Sequence, residues 1–154
     1  MKFDRVDRAI LSILQGNAGL SNKELARRIK LAPSSCLQRV RRLKKEGVLR
    51  GIHADVDPAA LGVGLQAMVA VRLTHHLEKD VEAYRRSLRA WPEIVNCYYV
   101  SGAVDFLAHV VVRDVDHLRK LGVEAFTGHK IVANVETSLI FEHERARALP
   151  DLLP

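Results

Sequence analysis

Cysteine is nearly missing from this sequence, with two in 154 residues. Two cysteines make no disulfide framework. Cys36 falls in a helical pattern and Cys97 in a strand pattern, so each reads as a small buried apolar group in a reducing compartment. No apolar run approaches the roughly 18 to 20 residues that cross a bilayer. The opening MKFDRVDRAI carries charge throughout and lacks the apolar core of a secretory signal. A cytoplasmic chain without a membrane partner is expected. Also missing are H-E-x-x-H, a C-x-x-C pair and a phosphate-cradling glycine loop. His75 and His76 are adjacent and should diverge. His53, His117, His129 and His143 have no spaced cysteine or carboxylate set, and His109 reads as a packed or interface histidine. The Glu142-His143-Glu144 run reads as solvated. These absences argue against an enzyme, a metal site or a resident cofactor.

What is present is positive charge, and it is concentrated. Residues 1–57 hold 13 Lys+Arg against 6 Asp+Glu, a net of +7. Residues 58–154 hold 11 against 12, a net of −1. The first third thus carries the whole excess, which suggests a polyanion-binding module joined to a near-neutral one.

The first third reads as three helices and a wing. DRVDRAILSILQ puts Val6, Ile10, Ile13 and Leu14 on one stripe, with Asp4 as cap and Asp7 in the favourable first turn. SNKELARRIK opens on Ser21 with Glu24 three residues later, a capping-box pattern. Its inner face is Leu25, Ala26 and Ile29. Pro33 suits the first turn of a third helix, which runs to about Lys45 and stops near Gly47. VLRGIHADVDP then predicts two short strands around Gly51. Asp57-Pro58 is a break. Residues 1–53 form the expected head, 54–64 a linker, and 65–154 a second domain. That domain reads β-α-β-β-α-β: strand LQAMVAVRL, a helix over 78–89, strands IVNCYYVSG and DFLAHVVVR, a helix from Asp114, and strand KIVANVETSLIF. The fold class is α+β, an N-terminal winged helix-turn-helix followed by a ferredoxin-like βαββαβ domain. Two helices cover one face of such a sheet. The other, with Met68 and Ala70, calls for a partner subunit.

The third helix has two faces. Cys36, Leu37, Val40 and Leu43 should seat it. Ser34, Ser35, Gln38, Arg39, Arg42 and Lys45 are left for solvent or a partner. Serine and glutamine hydrogen-bond base edges, and arginine takes guanine's two acceptors bidentately. Lys23 and Arg27 on the preceding helix suit phosphate contacts that position the reader. A lone basic helix is as readily a solvated surface. A capped helix before it and a wing after it favour double-stranded DNA as the partner.

With these motifs in this order the chain resembles the Lrp/AsnC, or feast/famine, family of transcription regulators. Residues 3–51 are similar to that family's DNA-binding head, DPAALG to its linker, WPEIVNCYYVSGAVDFLAHVVVRD to its effector and assembly domain, and ETSLIF to its final strand. The resemblance implies a sequence-specific regulator of promoter or operator DNA. It also implies self-association into dimers, and into octamers or other assemblies of dimers. An amino acid or related small molecule is the implied effector, near the G-x-x-D motif Gly102, Ala103, Val104 and Asp105. Tyr99, Ser101, Thr137 and Ser138 are its matching neighbours. Asp105 offers a counter-charge to an ammonium, and Thr137 and Ser138 offer donors to a carboxylate. The bland reading keeps Asp105 as a turn cap and the Thr-Ser pair as cross-strand partners. Three departures stand out: Ala32 where the family has a serine cap, Thr127-Gly128-His129-Lys130 where Pro-Gly is usual, and Ser101 where threonine is more familiar. The competing function is an architectural, nucleoid-associated DNA-wrapping protein with little sequence preference.

Overall fold

The computed structural model describes residues 3–144 and 148–153. Two compact units divide between Asp55 and Val56, and the tail from Glu144 groups with the first.

In the head, α1 (Arg5–Gly16), α2 (Asn22–Arg28) and α3 (Pro33–Lys45) follow the sequence pattern. Asp4 caps α1, its Oδ1 accepting from the Val6 and Asp7 amides at 3.0 and 2.9 Å. Ser21 and Glu24 close the expected capping box at 3.2 and 3.1 Å. α2 ends in a Schellman motif: Leu31 N–H reaches Ala26 O and Lys30 N–H reaches Arg27 O. Lys30 holds the left-handed position at φ 55°. Gly47 does the same for α3 at φ 71° without a Cβ penalty.

Ile10, Leu25, Ala26, Cys36 and Leu43 form the buried centre, with Val6, Ile13, Ile29 and Val40 packed around it. Leu37 does not join them and is 37% exposed. It lies about 100° around the helix from Cys36, at the rim of the stripe. The expected wing strands are also not found among the described residues: 50–57 run without ladder partners. The Val48 and Leu49 amides both go to Leu43 O at the end of α3, which removes them from strand pairing. The tail, assigned from the sequence to the second part, bonds to α1 instead. Leu149 N–H donates to Gln15 Oε1 at 2.8 Å, and Asp151 lies 3.6 Å from Arg8.

In the second unit, a 3₁₀ turn at Pro58–Leu61 is capped by Asp57. Strands β1 (Leu65–Leu73), β2 (Ile94–Tyr99), β3 (Phe106–Val112) and β4 (Val132–Leu139) form an antiparallel sheet in the order β2-β3-β1-β4. Helix α4 (Glu78–Leu88) and α5 (Val115–Leu121), with a π-helical extension over Gly122–Thr127, complete the ferredoxin-like pattern. Ala67, Val69, Val71, Phe106, Ala108 and Val110 meet Tyr84, Leu88, Leu121 and Phe126 in the core. His129, in the unusual turn before β4, places its ring 4.9 Å from that of Tyr84. Gln66, Met68 and Ala70 line the opposite face and stay partly exposed. There His109 is 8% exposed and meets Gln66 Oε1 at 2.9 Å. Burial, reinforced by nearby His143, pushes its pKa below the ordinary histidine value. Cys97 is exposed rather than buried, because β2 is an edge strand with an uncovered flank.

α3 begins with Ala32 in cap geometry, φ −63° and ψ 139°, and no side-chain oxygen meets its first-turn amides. Ser34 lies inside the helix and does not cap a later start. Ala32→Ser is therefore expected to add about 1 kcal/mol to head stability. Thermal unfolding checks this, and an unchanged midpoint would contradict it.

Candidate DNA-reading face and effector turn

Ser35, Gln38, Arg39 and Arg42 recur at the i, i+3, i+4, i+7 spacing of one helix face. They line an open depression of about 410 Å³ on α3. Ser34 and Lys45 on α3, and Lys23 and Arg27 on α2, are exposed. α2 and α3 are tied at their starts by Asn22 Nδ2, which donates to Pro33 O at 2.9 Å.

The two arginines are not free. Arg39 Nη1 donates to Asp4 Oδ2 at 2.7 Å and to Asp7 Oδ1 at 2.9 Å. Arg42 Nη2 donates to Asp7 Oδ2. Asp7 is 1% exposed, whereas the side chains of Arg39 and Arg42 are 28% and 46% exposed. The Asp7 amide, with Arg39 beside it, holds the Asp4 carboxyl below its ordinary range. Asp4, then Asp7, pushes the Arg39 pKa up. Two carboxylates thus neutralise two guanidiniums on this face of α3. Lys23, Arg27, Lys44 and Lys45 around them are exposed and lie outside this network. The sequence reading missed this network. Its signal was a matched pair of spacings: Asp4 and Asp7 three apart on α1, Arg39 and Arg42 three apart on α3.

The G-x-x-D turn joins β2 to β3. Gly102 adopts φ 132°, a conformation side chains rarely take. Ser101 and Ala103 are exposed and Val104 is half-buried. Tyr99 is 58% exposed and its ring lies 5.0 Å from Phe106. Asp105 faces inward. Its Oδ2 accepts from Leu73 N–H at 2.7 Å, and its Oδ1 meets His76 Nε2 at 2.6 Å. Burial opposes its ionisation, but the Leu73 amide and His76 outweigh it and keep the carboxyl below its ordinary value. Asp105 therefore fastens the turn to the end of β1. His75 turns elsewhere, to Asp80 at 3.0 Å.

Thr137 pairs with Val69 and Ser138 with Met68. Those partners lie on opposite sheet faces, so the two hydroxyls do too. The turn leaves from β3, and β4 is two strands away, roughly 10 Å in backbone spacing. One chain does not gather the turn and the Thr-Ser pair at one point. A second open cavity, about 600 Å³, is lined by Trp91, Glu93, Arg113, His117 and residues of α5, none of them a site candidate from the sequence. Among the described residues, no group of three or more His, Cys, Asp or Glu is arranged to hold a metal, and no helix is long and apolar enough to cross a membrane.

A helix-turn-helix head with an exposed polar helix face, followed by a ferredoxin-like domain, defines a DNA-binding transcription regulator. Residues 3–50 match the winged helix-turn-helix DNA-binding family, and residues 66–148 match the Lrp/AsnC ligand binding domain. The chain belongs to the Lrp/AsnC family. It is 43% identical to the transcriptional regulator AldR of Mycolicibacterium smegmatis, over 93% of this chain and 84% of that protein. It is 34% identical to the leucine-responsive regulatory protein of Escherichia coli K12, over 91% and 85%. A Neisseria meningitidis transcriptional regulator, solved as its complex with L-Met, superposes with a TM-score of 0.89 at 29% identity, covering 97% of each chain. These relatives are regulators of transcription.

The Asp105 anchor has a signed pH consequence. Its native carboxyl binds a proton less tightly than in the unfolded chain. Its contribution is thus present above the ordinary carboxylate pKa of about 4 and lost as pH falls through the lowered native value. Asp105→Asn is expected to cost about 1–3 kcal/mol at neutral pH and to flatten the acid-side fall in stability. Parallel acid-side slopes for variant and parent would contradict the anchor.

Proposed function

We propose that this chain binds promoter or operator DNA with sequence preference, as a dimer or an assembly of dimers such as an octamer. We propose further that an amino acid or related small metabolite modulates it by shifting that assembly. The observation that carries the DNA reading is the ordered face of Ser35, Gln38, Arg39 and Arg42 on α3. Ser34 and Lys45 extend it, and Lys23 and Arg27 on α2 set its position on the phosphates. Self-association draws support from the half-exposed sheet face of Gln66, Met68 and Ala70, with both helices on the other side. A close-fitting second copy would bury it. The chain acts in the cytoplasm, at the nucleoid.

The effector reading draws on the match to a ligand binding domain and on the relative solved with L-Met. The region is Tyr99, Ser101, Gly102, Ala103, Val104 and Asp105, with Thr137 and Ser138. Asp105 shapes the turn, and backbone groups and hydroxyls meet the ligand. The separation of the turn from the Thr-Ser pair favours a site completed by a neighbouring copy. Modulation requires the ligand to bind two assembly states unequally.

Binding-site selection tests the DNA reading. Gln38→Ala or Arg42→Ala should change base preference by about 1–3 kcal/mol at one position, while Lys23→Ala should weaken all sequences alike. Unchanged selection profiles for the first two would remove the reading face. A specificity ratio near one would favour an architectural wrapping protein instead. Calorimetry with the common amino acids, paired with sedimentation, tests the effector. Saturation without change in assembly or DNA affinity rejects regulation by that ligand.

A further inference from the structure

We propose that Asp4 and Asp7 are positioning residues for base readout, which fix the orientation of the Arg39 and Arg42 guanidiniums on the face of α3. The inference rests on the DNA-reading role of that face. It starts from how each carboxylate is held. Asp4 Oδ1 takes the Val6 and Asp7 amides and so belongs to the start of α1. Its Oδ2 is left for Arg39. Asp7 Oδ1 accepts from Arg39, its Oδ2 accepts from Arg42 and from the Asp4 amide at 3.4 Å, and its side chain is 1% exposed. The positive end of α1 favours both negative charges there. The acceptors are therefore fixed by a helix, beneath guanidiniums that remain partly open to solvent.

Geometry leaves the arginines donors to spare. Only Nη1 of Arg39 and Nη2 of Arg42 are used by the carboxylates, whereas a guanidinium carries five N–H groups in a rigid fork. The unused groups belong to side chains that line the depression with Ser35 and Gln38. An unrestrained arginine on a helix surface loses rotamer freedom on binding, and a pre-oriented one loses less. The carboxylates also cancel charge at this face. They hold down indiscriminate attraction to phosphate while leaving directional hydrogen bonds to bases. Specificity and charge are thereby separated within one cluster.

This gives a signature that simple damage to the fold does not produce. Removing the Asp7 charge should loosen readout and tighten random binding together. A merely structural role would weaken both. The test uses the full chain. Binding-site selection on the parent defines the preferred duplex, and affinities for it and for a random duplex are then measured across salt for the parent, Asp7→Asn and Asp4→Asn. Asp7→Asn should lower the preferred-to-random ratio about tenfold and raise random-duplex affinity. Asp4→Asn keeps a cap, since asparagine caps as well as aspartate, and should lower the ratio about threefold through Arg39 alone. It carries the test if Asp7→Asn does not fold. An unchanged ratio in a folded Asp7→Asn, or in Asp4→Asn where the first does not fold, overturns the proposal, as does a fall in both affinities by the same factor. A parent with no preferred duplex overturns the reading function itself and positioning with it. A parent preference untouched by the variants overturns positioning alone.

Discussion

The head is organised around a buried charge. Asp7 sits at the start of α1 with almost no solvent contact, and an isolated carboxylate in that setting is costly. Its two oxygens must be met. Arg39, Arg42 and the Asp4 amide meet them, and the two arginines fix how α3 is turned relative to α1. Apolar packing alone would leave that rotation loosely set, since Cys36, Val40 and Leu43 form a narrow stripe. The ion network and the stripe agree on one arrangement, and the polar face of α3 points outward as a result. Replacing such a network with apolar groups need not lose stability. Its stronger effect is on which geometry is adopted.

Much of the fold was legible in sequence because the signals were local. Asp4 and the Ser21-Glu24 pair marked helix starts, and Gly47 marked an end. Alternation in LQAMVAVRL separated the core face of β1 from its open face. The errors arose where the deciding feature carries no periodic pattern. Leu37 looked apolar and suitably spaced, yet it lies at the edge of the stripe. Cys97 looked like a strand interior, but position within the sheet, not strand pattern, exposes it. The wing strands were expected from composition, while the amides of Val48 and Leu49 are committed to Leu43. Tail contacts with α1 had no periodic signature at all.

The face proposed to read DNA was legible as a set of exposed polar residues on one helix. What their charges face was not, because Asp4 and Asp7 are some thirty residues away in sequence. The region proposed for the effector rests on family resemblance. The structure changes the part that Asp105 plays within it. Both carboxylate oxygens are already engaged, so its charge acts on the backbone of β1 and on His76. A glycine in a rare conformation and an inward-facing carboxylate together produce a rigid corner. Thr137 and Ser138, side by side in sequence, are divided by the pleat of β4.

The tail on α1 bears on how the molecule is made. Gln15 and Leu149 are hydrogen-bonded partners, yet all of residues 56–143 lie between them in the chain. During synthesis the three head helices emerge early and can pack on their own stripe. The tail contact cannot form until the entire sheet has been translated. A nascent chain therefore carries a head with an unfinished flank while the second unit is being translated.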